Sequence, residues 1–354
     1  MSGEPVSVRE SLVRQAQSCR SIGSPLYASV LSGLIDNYDR GGVTAALLDG
    51  VSSQPQHDAL PLRYLACAHR LALAGRAAQL ARHFPSCGGS WDGSAAVIDD
   101  FLTLVTSEHN EFHDGVRRNV QTNEVGRAAV LASGFVEIAR RHRRPIDQLE
   151  IGSAAGLLSR WDHFRFNTGS SQTGDPASPL VFGPAWWQES PADLGGSVVV
   201  ARRRASDIMP IDIATVDGRL TSMSFVWPDQ TARFERLAAA IEIASQHPVE
   251  VERSDAGDWL NHRLHHGPTP GHATVVFHSI VWQYLPAATR YQVRRAITNA
   301  GKRATVDSPM LWLRMEPAGV HADLQLTTWP GGENEVLAHV GYHGADIRWL
   351  AASR

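Results

Sequence analysis

Gln148-Leu149-Glu150-Ile151-Gly152-Ser153-Ala154-Ala155-Gly156-Leu157-Leu158 reads as a short apolar strand that passes through an acid into a small-residue turn and on into an apolar helix. That order is a nucleotide-binding βα turn: small residues let the backbone approach a ligand, and a helix N-terminus behind them offers free N–H groups. A dinucleotide loop G-x-G-x-x-G counted from Gly152 needs glycine where Ala154 and Leu157 stand, and has neither. An S-adenosylmethionine loop asks for an acid followed by small residues at alternate positions. Glu150, Gly152, Ala154 and Gly156 supply it, with Ser153 inside the turn and one alanine in place of glycine. Glycine here also serves plain helix–sheet packing, so a purely structural tight turn is the competing reading.

At 354 residues the chain suits two units at about 150 residues each. A composition 43% hydrophobic and 19% charged is that of a globular protein, not of a disordered one. Cys19, Cys67 and Cys87 form no C-x-x-C pair, which points to reduced thiols and a cytoplasmic setting. No apolar run reaches membrane-spanning length, and Met1 to Arg20 lacks the apolar segment of a signal peptide. A net charge of −3 gives no general pull toward nucleic acid. Of the two local basic runs, Arg140 to Arg144 reads as the favourably charged C-terminus of a helix; the other is Arg202 to Arg204.

From Val8 to about His142 the apolar residues recur at helical spacing only, with long helices expected over 61–83, 94–117 and 124–142. After Pro145 the period changes. Strands are expected at 148–151, 197–201, 249–253, 273–281, 310–315, 324–329 and 336–342, with helical stretches at 156–164, 229–246 and 286–300. The expected fold is therefore α/β: an all-α N-terminal domain over 1–144, then a Rossmann-like sheet of S-adenosylmethionine methyltransferase type over 145–354. That sheet should be mostly parallel with a C-terminal antiparallel hairpin around Pro330-Gly331-Gly332, and carry an irregular insertion at 167–196.

The strings Arg118-Asn119-Val120-Gln121-Thr122-Asn123-Glu124-Val125-Gly126-Arg127, Glu150 to Leu157 and Trp161-Asp162 resemble the bacterial DUF2332 family. So do Val226-Trp227-Pro228-Asp229-Gln230 and Val276 to Pro286. The matches run over most of the chain after about residue 100. The resemblance implies a Rossmann-like, methyltransferase-related fold and implies no reaction.

On that fold the second strand should end in an acid that takes the ribose hydroxyls, since one carboxylate accepts two such bonds. Asp207 fits, although it lies 55 positions after Gly152 and requires the 167–196 insertion to loop out. The third strand runs into Ser254-Asp255-Ala256, placing Asp255 and Ala256 beside an adenine. Either acid could instead cap a turn. Gln121, Asn123, Glu124 and Arg127 form a polar string at a helix start, denser than one N-cap requires, and read as a substrate site; Arg127 can clamp a carboxylate. Trp161 and Asp162 either close the pocket or pack against the sheet.

His278, at the end of the fourth strand, is the candidate acid/base group together with Glu124, and Ser279 and Gln283 are its candidate hydrogen-bonding neighbours. A histidine in an apolar strand is also commonly a satisfied structural group. His262, His265 and His266 cluster without a nearby Cys, Asp or Glu, so no metal is expected. Neither a nucleophile elbow nor a P-loop is present. Two functions stand: an S-adenosylmethionine-dependent methyltransferase acting on a small molecule, and a catalytically inactive nucleotide-binding or sensor module of the same fold. Substrate and oligomeric state are not legible.

Overall fold

The computed structural model describes residues 6–118, 120, 123–189 and 191–351. Helices come first: α1 (Val8–Ser21), α2 (Pro25–Asp39), α3 (Val43–Leu48), α4 (Leu60–Leu73), α5 (Ala78–Ala81), α6 (Ala96–Ser107), α7 (His109–Gly115) and α8 (Ala128–His142). Then follow β1 (Ile146–Ile151), β2 (Arg165–Asn167), β3 (Gln172–Gly174), β4 (Val181–Phe182), β5 (Val200–Asp207), α9 (Val216–Ser224), α10 (Thr231–Gln246), β6 (Val251–Arg253), α11 (Ala256–Arg263), β7 (Ala273–Ser279) and α12 (Ala287–Gly301). Strands β8 (Met310–Ala318), β9 (His321–Trp329), β10 (Glu333–Val340) and β11 (Arg348–Trp349) close the chain.

An all-helical N-terminal part followed by a mixed α/β sheet is what the periodicity predicts. The boundary is not a single cut at 144/145. One compact unit comprises 1–122 and 212–238, the other 123–211 and 239–354. The returning segment is tied to the helical unit by specific bonds. Asp229 accepts from the Ser24 hydroxyl (2.6 Å) and the Leu26 amide (3.1 Å) at the start of α2, and the His69 ring meets the Ser224 carbonyl at 3.1 Å. Pro25 at the first helical position and Ser24 as cap give α2 a sound start. The core of this unit gathers Leu12, Tyr27, Leu31, Phe84 and Trp227 with Tyr64, whose ring meets Phe101 and Phe112 edge-on at 5.3 and 5.6 Å.

In the second unit eight strands form one sheet in the order β11-β10-β9-β8-β7-β1-β5-β6. The five from β8 to β6 are parallel, and β9, β10 and β11 add antiparallel neighbours. The sheet is thus mixed, with an antiparallel meander larger than the single hairpin expected. Strand β1 is buried along its whole length. On one face Leu149, Ile151, Val276 and Trp312 pack with Leu260 of α11 and Ile297 of α12. On the other, Phe135 of α8 stacks on Trp161 at 4.8 Å and meets Phe277 edge-on at 5.2 Å. Cover on both faces explains why β7 reads as a nearly continuous apolar run. The insertion is less irregular than expected, because β3-β2-β4 make a small sheet of their own.

Candidate functional site

Strand order reverses at β1, whose neighbours are β5 on one side and β7 on the other. In open α/β sheets, ligands bind beyond the carboxyl ends of strands at such a reversal. The residues found there are the 152–156 turn after β1, Asp207 at the end of β5, and Ser279 to Trp282 after β7.

The turn is held open in backbone terms and closed in hydrogen-bonding terms. Gly152, Ala154 and Gly156 have φ of 65°, 51° and 65°, so the chain alternates into the left-handed region at every second residue. Its amides are taken: Ser153 N–H donates to the Ser206 carbonyl (3.2 Å), Ala154 N–H to Asp207 Oδ2 (2.8 Å), Ala155 N–H to Asn123 Oδ1 (3.4 Å) and Gly156 N–H to the Ser153 carbonyl (2.7 Å). The Ser153 hydroxyl also donates to the Ser206 carbonyl at 3.2 Å. The expected α-helix after the turn is a 3-10 segment, Leu158–His163, with Arg160 out of helical geometry. Arg160 instead folds back, donating to the Gly156 carbonyl at 2.6 Å and the His247 carbonyl at 2.6 Å. The helix N-terminus on which phosphate binding relies is therefore not supplied.

Glu150 is buried on the α8 side of β1, and burial pushes its carboxyl up to about 8, against the lowering pull of the Ser159 hydroxyl and the Arg160 guanidinium. Ser159 donates to it at 2.5 Å. Its acid form therefore predominates at neutral pH. Burial likewise brings Arg160 down to about 10.

Asn123, Glu124 and Arg127 are buried and reach the carboxyl ends of the strands. Arg127 donates to the Ser279 carbonyl (3.3 Å) and the Tyr342 carbonyl (3.2 Å). With its amide turned to satisfy both neighbours, Asn123 accepts from the Ala155 amide at 3.3 Å and donates to the Ser153 carbonyl at 3.2 Å. Glu124 accepts from the Gly126 amide at 3.1 Å, a helix-start bond. Gln121 lies outside the described residues. Asn123 and Arg127 thus join the turn and the end of β7.

Most other expected site residues have their polar atoms engaged within the fold. Asp255 caps α11, accepting from the Gly257 amide (2.8 Å), and takes the Thr289 hydroxyl at 2.7 Å, while Ala256 is part of the core under α11. Trp161 is packed, with its indole N–H on Gln148 Oε1 at 3.1 Å, and Asp162 pairs with Arg203. Gln283 is exposed in a short 3-10 turn. His278 is buried with both nitrogens engaged: Trp312 Nε1–H donates to Nε2 at 3.0 Å, which leaves the proton on Nδ1 to donate to Glu316 Oε1 at 2.7 Å. A ring so fixed is the satisfied structural group, with neither nitrogen free for substrate.

Ile280, directly after β7, has a φ of 50°, a conformation that costs a β-branched residue about 1–3 kcal/mol. A cavity of about 440 Å³ lies at the opposite end of β1, lined by α8 residues such as Val136 and Arg140 and by 195–199, away from the turn. Among the described residues, no helix is long and apolar enough to cross a membrane.

The structure also brings together a group the sequence pattern did not single out: His321, Asp323 and His339, whose ligand-capable atoms all lie within 4.8 Å of one another. The H-x-D spacing at the head of β9 was a readable signal. Its partner across β10 was not, because a bulge sets the register.

Residues 9–349 match the model of a family described as an uncharacterized protein conserved in bacteria, DUF2332. The chain belongs to that family. Neither the curated proteins nor the solved structures return a match.

Proposed function

We propose that the sheet unit binds a nucleoside-type ligand of the S-adenosylmethionine class beyond the carboxyl ends of β1 and β5, and acts as a binding module without acid–base chemistry at His278. The observation that carries this is Asp207. It closes β5 beside the turn, is half-buried, and spends one lone pair of each oxygen on an amide, Ala154 at 2.8 Å and Met209 at 2.8 Å. The remaining lone pairs suit a pair of ribose hydroxyls. Ile208 and Met209, 59% and 36% exposed, put apolar surface next to it of the kind a purine covers. The filled turn amides and the absent helix N-terminus argue against a pyrophosphate, hence for a ligand of this class over a dinucleotide.

A second reading, methyl transfer to a small molecule, draws on Asn123 and Arg127 reaching the same strand ends. Such transfer rests on positioning and needs no dedicated base. Calorimetry on the full chain with S-adenosylmethionine, its demethylated product and NAD tests the proposal. The first two should bind and NAD should not, and Asp207→Asn should weaken binding by about 1–3 kcal/mol. NAD binding alone would reject the ligand class; appearance of demethylated product with a small-molecule acceptor would favour the second reading.

A further inference from the structure

We propose that His321, Asp323 and His339 form a binding site for one divalent first-row transition metal ion, with zinc as the probe. The site is independent of the nucleoside reading. His321 and Asp323 are two residues apart on β9 and so share a face of the sheet, and His339 stands directly opposite Asp323 on β10. His339 Nδ1 lies 2.8 Å and His321 Nε2 3.2 Å from the same oxygen, Asp323 Oδ1. Ligand atoms around a tetrahedral zinc at bonds of about 2.0–2.1 Å stand about 3.3 Å apart, so only small side-chain movements would convert these contacts into coordination. Two imidazoles and one carboxylate are a donor set for such metals, and three protein ligands leave a position open.

Two further observations point the same way. The first is the bulge between Val336 and Ala338. Continued without it from Val336 opposite Gln325, the register would set Ala338 against Asp323 and turn His339 to the other face. The extra residue is what places the second imidazole, and bulges of this kind re-aim side chains near functional sites. The second is charge. Glu316 on β8 stands directly opposite Asp323 on its other side, two carboxylates on one face. Like charges so placed are destabilising, and Glu316 Oε2 is buried without a hydrogen-bond partner among the described residues. A cation held by Asp323 relieves that repulsion. The histidine side chains are 37% and 36% exposed, which leaves an ion a way in.

The test is zinc titration of the chelator-treated full chain by calorimetry, with cobalt absorption as a second readout. One ion per chain is expected, with at least tenfold weaker binding in His321→Ala and in His339→Gln. His265→Ala combined with His266→Ala should leave it unchanged, since those rings are adjacent without a carboxylate. Circular dichroism checks that each variant is folded, and Asp323→Asn provides a further ligand substitution should one histidine variant fail to fold. No zinc on the unaltered chain, or equal binding after removal of both His321 and His339, overturns the site.

Discussion

Gly152→Ala should destabilise the sheet unit whether or not a ligand is present, and Val281 should be the reason. A Cβ built on Gly152 falls 2.3 Å from Val281 Cγ2 and 3.0 Å from its Cβ, at a φ of +65°. The left-handed backbone costs a side-chain-bearing residue about 1–2 kcal/mol, and overpacking against a branched neighbour a further 1–3 kcal/mol or so. The expected loss is therefore about 2–5 kcal/mol, read as a lower urea midpoint by far-ultraviolet circular dichroism. Gly23 separates the two contributions, because its φ is +85° and nothing lies within 4 Å of its added Cβ. Gly23→Ala should lose only the backbone part. In a double-mutant cycle, Val281→Ala should recover about 1–2 kcal/mol of the Gly152→Ala loss. If Gly152→Ala costs no more than Gly23→Ala, or Val281→Ala recovers nothing, the close contact between the β1 turn and the segment after β7 is not what requires glycine at this position.

Two predictions concern pH. Glu150 holds its proton in the folded chain up to about pH 8 because of burial, above its ordinary 4.5, so its contribution is complete below pH 4.5 and is lost as pH rises through 8. The loss is on the order of 4–5 kcal/mol at about 1.36 kcal/mol per unit; urea midpoints between pH 5 and 9 should fall in the native chain and flatten in Glu150→Gln, and an unchanged slope in the variant would sink the assignment. His69 has the opposite sense for the helical unit: burial lowers it from 6.5 to about 4, with its ring against the Ser224 carbonyl and the Ser86 hydroxyl, so its stabilisation is full above pH 6.5 and lost as pH falls through 4. His69→Gln should remove roughly 3 kcal/mol of acid sensitivity over that window, and an identical acid limb in the variant would contradict it.

Much of the fold was readable because periodicity reports burial. Strand β7 is buried from Ala273 to His278 and reads as a nearly continuous apolar run, while Ala322, Leu324 and Leu326 of β9 alternate with half-buried polar residues. The place of Asp207 at the end of the strand beside β1 follows from strand order alone. What failed did so where distant partners decide. Residues 156–164 carry a helical pattern, yet Arg160 is drawn back to the Gly156 carbonyl and Trp161 to Gln148 and Phe135, and the segment becomes 3-10. The 212–238 stretch follows the first sheet strands in sequence, but Asp229 and Ser224 bond to α2 and His69. No local pattern encodes such allegiance, and none encodes a one-residue bulge.

Residue type alone could not sort the site, because the same polar side chains serve binding and architecture; spent hydrogen-bonding capacity does sort them. His278 has used both nitrogens, Asp255 accepts three bonds, from the Gly257 and Asp258 amides and the Thr289 hydroxyl, against two at Asp207, and Arg127 reaches two main-chain carbonyls. These hold β7, α11 and the strand ends in place, and substituting them would test the fold before it tested binding. Asp207 retains a lone pair on each oxygen beside exposed apolar surface. Glu316 keeps one buried oxygen without a hydrogen-bond partner among the described residues, on a strand position opposite a carboxylate that two imidazoles already address. Accepting capacity of this kind can be taken up by a ligand without breaking a bond that holds the fold. That is the physical reason to seek ligands at these two places on the sheet rather than at His278.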